Sequence, residues 1–398
     1  MRIGLFTNNY RPLINGLATS VESFSGAFRR AGHQVTVVAP RYPGAYTPEA
    51  DILRVPGLRA PTHHAYVLPM AWWPGVGRAV NALRLDIFHA QHPLLLGAAA
   101  ARWARRAGRP VVFTYHTHYD RYAHYIPGPS GVVARLAVRQ AVAFANRADL
   151  VVAPGSGVAR VLRDRGVRTP IAIVPTGVER SPGTTGDHGP GHRELLGLGG
   201  ALPVFLSVGR LAREKNHAFL LSAFARILRE LPAARLVLVG DGDDRPRLER
   251  LSGALGVEQA VRFVGAVPHQ AVGKYYLAAD LLLCSSTSET QGIVVLEAMV
   301  AGLPVVAVTS DAATDLLADG QGGILAPEDT EGFARAALDL WRQPERRRLM
   351  GAAGRRAAAG FTPDACAGRM LTLYAEILQA FRSRACNARA VRPTMAGT

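Results

Sequence analysis

The 398 residues carry a formal net charge of +16, and 48% of them are apolar. A chain of this length predicts two domains, each with its own core, and none of its apolar runs approaches the ~20 residues that span a bilayer. Three widely spaced cysteines form neither a disulfide framework nor a paired-cysteine metal motif.

Short apolar runs alternate with amphipathic helical stretches along the whole chain. The first half contains predicted strands at residues 2–7, 34–39, 87–90, 111–116, 150–153 and 171–175. The second half contains predicted strands at residues 204–208, 235–239, 261–264, 281–285, 305–308 and 323–326. Strands that are apolar on both faces and alternate with helices are typical of parallel sheets covered by helices. The predicted fold class is therefore α/β, with two doubly wound, Rossmann-like domains.

A stretch rich in glycine, proline and polar residues, 181–192, separates the two series of strands and predicts a linker. Thr362 and Pro363 make a suitable start for a last helix. We expect the following organisation: a first domain at 1–176, a linker or hinge at 177–200, a second domain at 201–361, a C-terminal helix at 362–384 and a disordered tail at 385–398. The N-terminal apolar run, residues 3–6, is too short for a secretory signal, so we expect a cytoplasmic protein.

The first candidate motif follows the strand predicted at 204–208. Arg210 and Lys215 lie in the loop between this strand and a helix, and ligands of parallel sheets bind at such loops. Cations fixed there stabilise the negative charge that develops on a departing diphosphate. Lys215 is one of only two lysines in an arginine-rich chain, so a point charge is retained at this position; the alternative is an ordinary solvated loop residue.

The second candidate motif follows the strand predicted at 281–285. Glu289 lies in the loop, Gly292 begins a helix, and Glu297 lies on that helix. A helix start with small residues offers free N–H groups to an anion. The neighbours of Glu297 are apolar, so its carboxylate requires a partner rather than open solvent. The two carboxylates are suited to accept hydrogen bonds from hydroxyl groups of one ligand.

Together, Gly209-Arg210…Lys215 and Glu289-x7-Glu297 resemble the donor site of retaining glycosyltransferases with the GT-B fold, of the family-four type. The resemblance covers most of the chain. It implies a cleft between the two domains and a C-terminal helix that packs back on the first domain. It also implies that Arg210 and Lys215 hold the donor diphosphate, that Glu297 holds the ribose hydroxyls and that Glu289 holds the transferred sugar. The other donor-binding residues that it implies are Gly16, Arg262, Val264, Gly292, Ile293 and Val294.

His116 ends a predicted strand of the first domain and would face the cleft. The matching histidine of this family contacts the sugar near the reacting centre. The resemblance therefore implies a catalytic group of His116, Glu289, Arg210 and Lys215. Retention by front-face attack, with the departing phosphate taking the acceptor proton, needs no protein nucleophile, and the sequence offers no convincing one.

No metal or other cofactor is expected. A site made of His116, His118 and His124 is disfavoured. Asp241-Gly-Asp243 matches a metal motif of a different glycosyltransferase fold. Here it precedes a helix, so Asp243 or Asp244 is predicted to be a helix N-cap.

Within this broad group the sequence is most similar to bacterial diacylglycerol glucosyltransferases. The residues that carry this similarity are Asn15 to Ser20, His116 to Tyr119, Tyr125 to Pro127, and Glu289-Thr-Gln-Gly292. It implies UDP-glucose as the donor, a membrane lipid as the acceptor, and Tyr119 and Tyr125 among the acceptor residues. It places the protein at the inner face of the plasma membrane, as a peripheral protein with no obligate protein partner.

The charge distribution agrees with a membrane partner. Residues 1–180 contain 22 basic and 8 acidic residues, whereas residues 181–398 contain 24 and 22. A strongly basic half indicates a polyanionic partner, although an arginine-rich proteome would give the same bias. Tryptophans beside arginines are typical of a membrane interface. The predicted membrane-facing residues are Trp72, Trp73, Arg78, Arg102, Arg105, Arg106 and Arg109, the last four on one side of a helix.

Three other functions remain open on the residues alone. A related transferase would use GDP-mannose or another UDP-sugar with a phosphoinositol, polyprenyl-linked or soluble sugar acceptor. A glycoside hydrolase would use Glu289 and Glu297 as its acid–base pair, but it gives the cationic loop no role. A nucleic-acid-binding protein would explain the basic half, but the sequence contains no recognised module for it.

Overall fold

A computed structural model describes residues 1–13, 15–44, 49–60, 66–120, 130–179, 190–195, 197 and 202–390. The chain divides into two compact units. Unit 1 consists of Met1–Gly177 together with Pro363–Thr398, and unit 2 consists of Val178–Thr362. In the part of the chain that the structure describes, no helix is both long and apolar enough to cross a membrane.

Unit 1 is built on a parallel sheet whose strand order is β3-β2-β1-β6-β7-β8-β9. Its strands are β1 (Arg2–Phe6), β2 (Gln34–Pro40), β3 (Ile52–Val55), β6 (Ile87–Ala90), β7 (Val111–Thr114), β8 (Leu150–Ala153) and β9 (Ile171–Ile173). A separate antiparallel hairpin is formed by β4 (Gly57–Arg59) and β5 (Val67–Pro69). Strands β3, β4 and β5 were not predicted from the sequence.

The helices of unit 1 are α1 (Gly16–Arg30), α2 (Val76–Ala82), α3 (Leu96–Ala107), α4 (Ser130–Ala145), α5 (Ser156–Asp164) and α14 (Pro363–Ala390). Helix α1 begins at Gly16. The reason is its N-cap, Asn15, whose Oδ1 accepts a hydrogen bond from the Ala18 N–H at 2.9 Å.

The C-terminal helix α14 packs on the first unit, as the GT-B resemblance implied. Tyr374 of α14 is fully buried, and its hydroxyl lies 2.6 Å from Nδ1 of His89 on β6. Arg30 of α1 donates to Asp364 at the start of α14, at 2.8 Å. The helix continues to Ala390, beyond the predicted end at 384, and residues 391–398 of the predicted disordered tail lie outside the described residues.

Unit 2 is built on a second parallel sheet, of order β12-β11-β10-β13-β14-β15. Its strands are β10 (Val204–Val208), β11 (Arg235–Val239), β12 (Val261–Gly265), β13 (Leu281–Cys284), β14 (Val305–Val308) and β15 (Gly323–Ala326). Its helices are α6 (Pro190–Leu195), α7 (His217–Glu230), α8 (Arg245–Ala254), α9 (His269–Ala278), α10 (Ile293–Ala301), α11 (Asp311–Leu317), α12 (Thr330–Trp341) and α13 (Pro344–Ala358).

The predicted linker at 177–200 falls largely outside the described residues. Its described helix, α6, is fixed to unit 2 by Arg193, which donates to the Ala278 carbonyl at 2.9 Å and to Asp280 at 2.8 Å.

Both sheets reverse their strand order beside their first strand. The reversal lies between β1 and β6 in unit 1, and between β10 and β13 in unit 2. Parallel sheets bind ligands outside the carboxyl ends of the strands at such a reversal. The loops that follow these four strands are therefore where a functional site is expected.

Candidate active site

The loops after β10 and β13 of unit 2 are joined by side chains. Nζ of Lys215 lies 2.5 Å from Oε1 of Glu289, and both side chains are mostly buried. The hydroxyl of Ser285 donates to the Lys215 carbonyl at 2.9 Å, and that of Ser288 donates to the Glu214 carbonyl at 2.8 Å. Two of the residues predicted from sequence thus meet at the strand-order reversal, on a backbone that is fixed from both sides.

Arg210 lies at the start of the same loop. Its guanidinium donates to the carboxylate of Glu214, which is almost fully buried. Gly240, after β11, allows the neighbouring loop to approach closely, because a Cβ there would lie 1.9 Å from the Gly209 carbonyl oxygen. Arg210 and Lys215 are therefore each held by a carboxylate, and the sequence prediction did not include Glu214.

Glu297 lies on α10 with only 11% of its side chain exposed. The partner that its apolar surroundings required is Tyr276 of α9, whose hydroxyl donates to Oε2 at 2.6 Å. Nδ1 of His269 lies 3.8 Å from the other carboxylate oxygen. Burial raises the pKa of Glu297, while the hydrogen bond from Tyr276 and the nearby His269 oppose that rise.

A small hollow of about 20 Å³ lies against the Lys215–Glu289 pair. Val294 of α10 is in its lining, and Glu297 follows one helical turn later. His217, the first residue of α7, also lines it and is buried. Among the described residues, Nδ1 of His217 has no hydrogen-bond partner, and burial, with a smaller effect of Lys215, lowers its pKa to about 4. Sequence reasoning missed this histidine, although it follows Lys215 by two positions.

The remaining predicted donor residues of unit 2 lie around α10 and on β12. Gly292 has a positive φ of 75° and stands at the N-cap of α10, and no side chain caps this helix, so the N–H groups that begin with Ile293 face no capping side chain. Arg262 is exposed on the edge strand β12, and Val264 of that strand is half-buried against the core.

The Asp241–Asp244 segment lies between β11 and α8. In the described residues, no cluster of histidine, cysteine or carboxylate side chains is arranged to hold a metal ion. Asp244 is the N-cap residue of α8, as predicted, although its side chain makes no capping hydrogen bond. Its carboxylate instead accepts two hydrogen bonds from Arg247, at 2.7 and 2.8 Å, because the guanidinium reaches both oxygens at once.

In unit 1, His116 lies in the loop after β7, two residues beyond the end of the strand. The predicted strand was therefore too long. Nε2 of His116 lies 2.7 Å from Oε1 of Gln91, a residue that directly follows β6. Burial, together with His92 and His89, lowers the pKa of His116 to about 3. The imidazole is neutral at pH 7 and is held at the strand-order reversal of unit 1.

The other predicted residues of unit 1 occupy varied positions. Gly16 is the first residue of α1 and is exposed. Tyr119 packs edge-on against Tyr115, with ring centroids 5.4 Å apart, and its buried hydroxyl has no partner among the described residues. Tyr125 and His124 lie outside the described residues.

Most of the predicted membrane-facing residues are exposed. Trp72 is 71% exposed and Trp73 is 48% exposed. The exposed arginines are Arg78, Arg102, Arg105 and Arg106. The prediction that Arg109 lies on the helix with the other arginines is wrong. Gly108 ends α3 in the left-handed conformation, so Arg109 lies past the helix, and its guanidinium is 3.8 Å from Asp86.

Comparison with known proteins covers both halves of the chain. Residues 14–181 match the family described as "Glycosyltransferase Family 4", and residues 192–357 match "Glycosyl transferases group 1". The alpha-monoglucosyldiacylglycerol synthase of Streptococcus pneumoniae is 31% identical over 82% of this chain and 75% of that protein. The protein of the same name from Acholeplasma laidlawii is 27% identical over 95% of this chain and 98% of that one. A GDP-mannose-dependent alpha-(1-6)-phosphatidylinositol monomannoside mannosyltransferase of Mycolicibacterium smegmatis is 31% identical over 88% of this chain and 92% of that one.

Solved structures agree with the fold prediction. The sucrose-phosphate synthase of Thermosynechococcus elongatus superposes with a TM-score of 0.79 at 22% identity, over 95% of this chain and 99% of that one. Anabaena HepE in complex with UDP-glucose gives a TM-score of 0.75 at 20% identity, over 96% of this chain and all of that one. These similarities confirm the α/β fold with two Rossmann-like halves. With the sequence relatives, they place the chain among the GT-B glycosyltransferases of the family-four type, a family of hexosyltransferases.

Proposed function

We propose that this protein is a retaining transferase that moves glucose from UDP-glucose to a hydroxyl group of a membrane lipid such as diacylglycerol. The observation that carries the proposal is the Lys215–Glu289 pair at the strand-order reversal of unit 2. The similarity to two alpha-monoglucosyldiacylglycerol synthases supports the choice of acceptor. The similarity of the fold to HepE, which was solved with UDP-glucose, supports a nucleotide-sugar donor.

In the proposed reaction, the acceptor oxygen bonds to the anomeric carbon on the face from which the diphosphate leaves. The bond from that carbon to the diphosphate oxygen breaks, and the acceptor proton passes to a departing phosphate oxygen. Lys215 and Arg210 stabilise the charge that this phosphate gains. No protein nucleophile and no metal ion takes part in this scheme.

The carboxylates beside these cations prepare the site. Glu289 and Glu214 hold Lys215 and Arg210 in place before the donor arrives, so that little reorganisation accompanies binding. In the proposed complex, donor phosphates become partners of the two cations, and Glu289 becomes free to accept hydrogen bonds from the sugar hydroxyls.

The remaining roles follow the same scheme. Glu297 binds the ribose hydroxyls, and the uncapped N–H groups at the start of α10 meet the donor phosphate. Arg262 and Val264 border the base. In unit 1, neutral His116 contacts the sugar without adding a charge.

We also propose that the enzyme works as a peripheral protein on the inner face of the plasma membrane, with a nucleotide sugar, a lipid acceptor and an anionic bilayer as its partners. Nucleic acid and an obligate protein partner have no part in the scheme. The exposed tryptophans and arginines of unit 1 support this location.

The decisive experiment offers labelled UDP-glucose, UDP-galactose and GDP-mannose to the full chain, with vesicles that contain either diacylglycerol or phosphatidylinositol. We expect a glucosylated diacylglycerol with the α configuration, identified by mass spectrometry and NMR. Transfer from GDP-mannose alone, or an inverted product, would overturn the proposal.

A second candidate is supported by a specific relative. The mannosyltransferase of Mycolicibacterium smegmatis that acts on phosphatidylinositol monomannoside is as similar in identity as the pneumococcal synthase. Under this alternative the donor is GDP-mannose and the acceptor a phosphoinositol lipid. Titration calorimetry with both donors separates the candidates, because the correct nucleotide sugar binds more tightly.

A further inference from the structure

The β4–β5 hairpin of unit 1 exposes leucines where a hairpin normally carries polar side chains. Leu58 and Leu68 are directly opposite each other in the antiparallel register, so their side chains share one face. On the other face, Val67 is buried. Leu58 is 63% exposed and Leu68 is 45% exposed. One face of the hairpin therefore packs on the unit, and the other presents a leucine pair to the solvent.

Two exposed tryptophans follow the hairpin directly. Trp72 and Trp73 lie in the turn between β5 and α2. The Trp73 N–H donates to the Met70 carbonyl at 3.0 Å, and the Val76 N–H donates to the Trp73 carbonyl at 3.2 Å. The indoles are thus displayed by a hydrogen-bonded turn. We call the four exposed residues Leu58, Leu68, Trp72 and Trp73 the apolar tip.

Arginines surround the apolar tip in sequence. Between Asp51 and Asp86 the chain contains four arginines and no acidic residue. Arg59 is exposed on the hairpin, where it pairs across the strands with Val67 and lies on the same face as that residue. Arg78 is exposed on α2. Large apolar side chains and exposed cations in a segment without acidic residues match a surface that is apolar inside and negatively charged outside. An anionic phospholipid bilayer has this structure.

We propose that the apolar tip inserts beneath the headgroups of an anionic bilayer, with Arg59 and Arg78 in contact with the phosphates. The proposal deepens the proposed function, on whose lipid acceptor it rests. Insertion of leucine and tryptophan is driven by burial of apolar surface and resists salt, whereas the contacts of the arginines weaken with salt. Binding therefore has an apolar component and an electrostatic component, and measurements at low and high salt distinguish them.

The test is co-sedimentation of the full chain with vesicles of phosphatidylcholine and phosphatidylglycerol, at low and high salt. We expect the double variant Leu58→Ser, Leu68→Ser to bind about tenfold more weakly at both salt concentrations. The variant Arg59→Gln, Arg78→Gln should lose affinity mainly at low salt. The matched control is Leu349→Ser, which removes a 54% exposed leucine from unit 2 and should bind normally.

Fluorescence reports the depth of insertion. Lipids brominated on their acyl chains should quench the wild-type tryptophan emission, and most of this quenching should disappear in Trp72→Phe, Trp73→Phe. Unchanged melting temperatures establish that the variants are folded. Absence of wild-type vesicle binding, or equal binding of the leucine variant, would overturn the inference, and the tip would then fit a protein partner instead.

The two proposals fail separately. If the leucine variant loses vesicle binding but still glucosylates a water-soluble, short-chain diacylglycerol, insertion is supported apart from chemistry. If no lipid is glucosylated while leucine-dependent vesicle binding persists, the proposed function fails and the inserted tip stands.

Discussion

The two units share a strand order, but the side chains at the point where this order reverses differ in charge. In unit 2 the loops after β10 and β13 are joined by the charged pair Lys215–Glu289. The loop after β10 also contains a second charged pair, Arg210–Glu214. In unit 1 the loops after β1 and β6 are joined by neutral groups. The Asn8 N–H donates to Nδ1 of His92 at 3.2 Å.

The difference shows how one topology supports two kinds of ligand. Charged side chains at the strand-order reversal suit a diphosphate, because its partners must compensate the negative charge that grows on it. A neutral reversal, with histidines whose pKa values are held at about 3 to 4, suits an uncharged hydroxyl group. From this contrast we propose that unit 2 binds the donor and unit 1 binds the acceptor.

The largest effect is expected from removing the charged side chains at the strand-order reversal of unit 2. Lys215→Ala should lower kcat/KM for the nucleotide sugar by about 100- to 1,000-fold, because a preorganised cation at the leaving group is lost. Glu289→Gln should act in the same direction. Initial rates with labelled donor measure both changes.

Lys274→Ala is the matched control, since Lys274 is the other lysine of the chain and is exposed. It should leave the rate unchanged. Rates close to wild type for both site variants, in proteins that melt normally, would contradict the assignment of unit 2.

The next prediction concerns acid stability and the histidines of unit 1. His89, fully enclosed between Tyr374 and Thr114, has its pKa lowered to about 3 by burial. The unfolded chain takes up that proton near pH 6.5, so the stabilisation is present above pH 6.5 and is lost as the pH falls towards 3. Between pH 6.5 and 4 the loss is on the order of 3 kcal/mol for such a group.

Thermal unfolding at several pH values checks this linkage. In the wild type, the melting temperature should fall steeply below pH 6.5, and His89→Gln should flatten that dependence while lowering stability at pH 7. An equally steep fall in the variant would show that another group controls acid unfolding.

A smaller effect is expected at the basic face of unit 1. Arg102→Gln, Arg105→Gln and Arg106→Gln together should weaken binding to anionic vesicles by roughly tenfold at low salt. UDP affinity should not change, because these side chains belong to α3 and not to unit 2. Vesicle co-sedimentation and UDP calorimetry on the same preparation measure the two quantities, and a parallel loss of both would remove the separation of roles.

The smallest effect concerns the ribose position. Tyr276→Phe removes the 2.6 Å hydrogen bond to Glu297 without changing the packed ring. The pKa of Glu297 should then rise further, and donor affinity at acidic pH should fall about fivefold. The loss should shrink as the pH is raised, and a loss independent of pH would indicate a purely steric cause.

The sequence predicted every strand of the two parallel sheets except β3, and it predicted the residues that meet at the reversal of unit 2, because alternation and motif position are local signals. It did not predict Tyr276 as the partner of Glu297, or Glu214 as the partner of Arg210. Such partners depend on how helices pack and on how a loop closes. It also extended the α3 arginine row to Arg109, since periodicity does not reveal that Gly108 turns left-handed.

The tip leucines were missed for a related reason. In sequence, Leu58 and Leu68 look like ordinary core residues, and three-residue strands offer no pattern that tells the inner face from the outer one. Only the hairpin register, which places the two leucines opposite each other, separates them from buried Val67.

The assignment of α14 to unit 1 has a consequence for synthesis. Unit 2 is continuous in sequence, whereas the core of unit 1 includes Cys366, Met370 and Tyr374 from the far end of the chain. A ribosome therefore finishes the whole of unit 2 before it supplies the side chains that close unit 1. Until then the nascent first half exposes hydrophobic surface. Truncations before Leu378 should therefore increase its dependence on chaperones. The excised segment 178–362 should fold by itself.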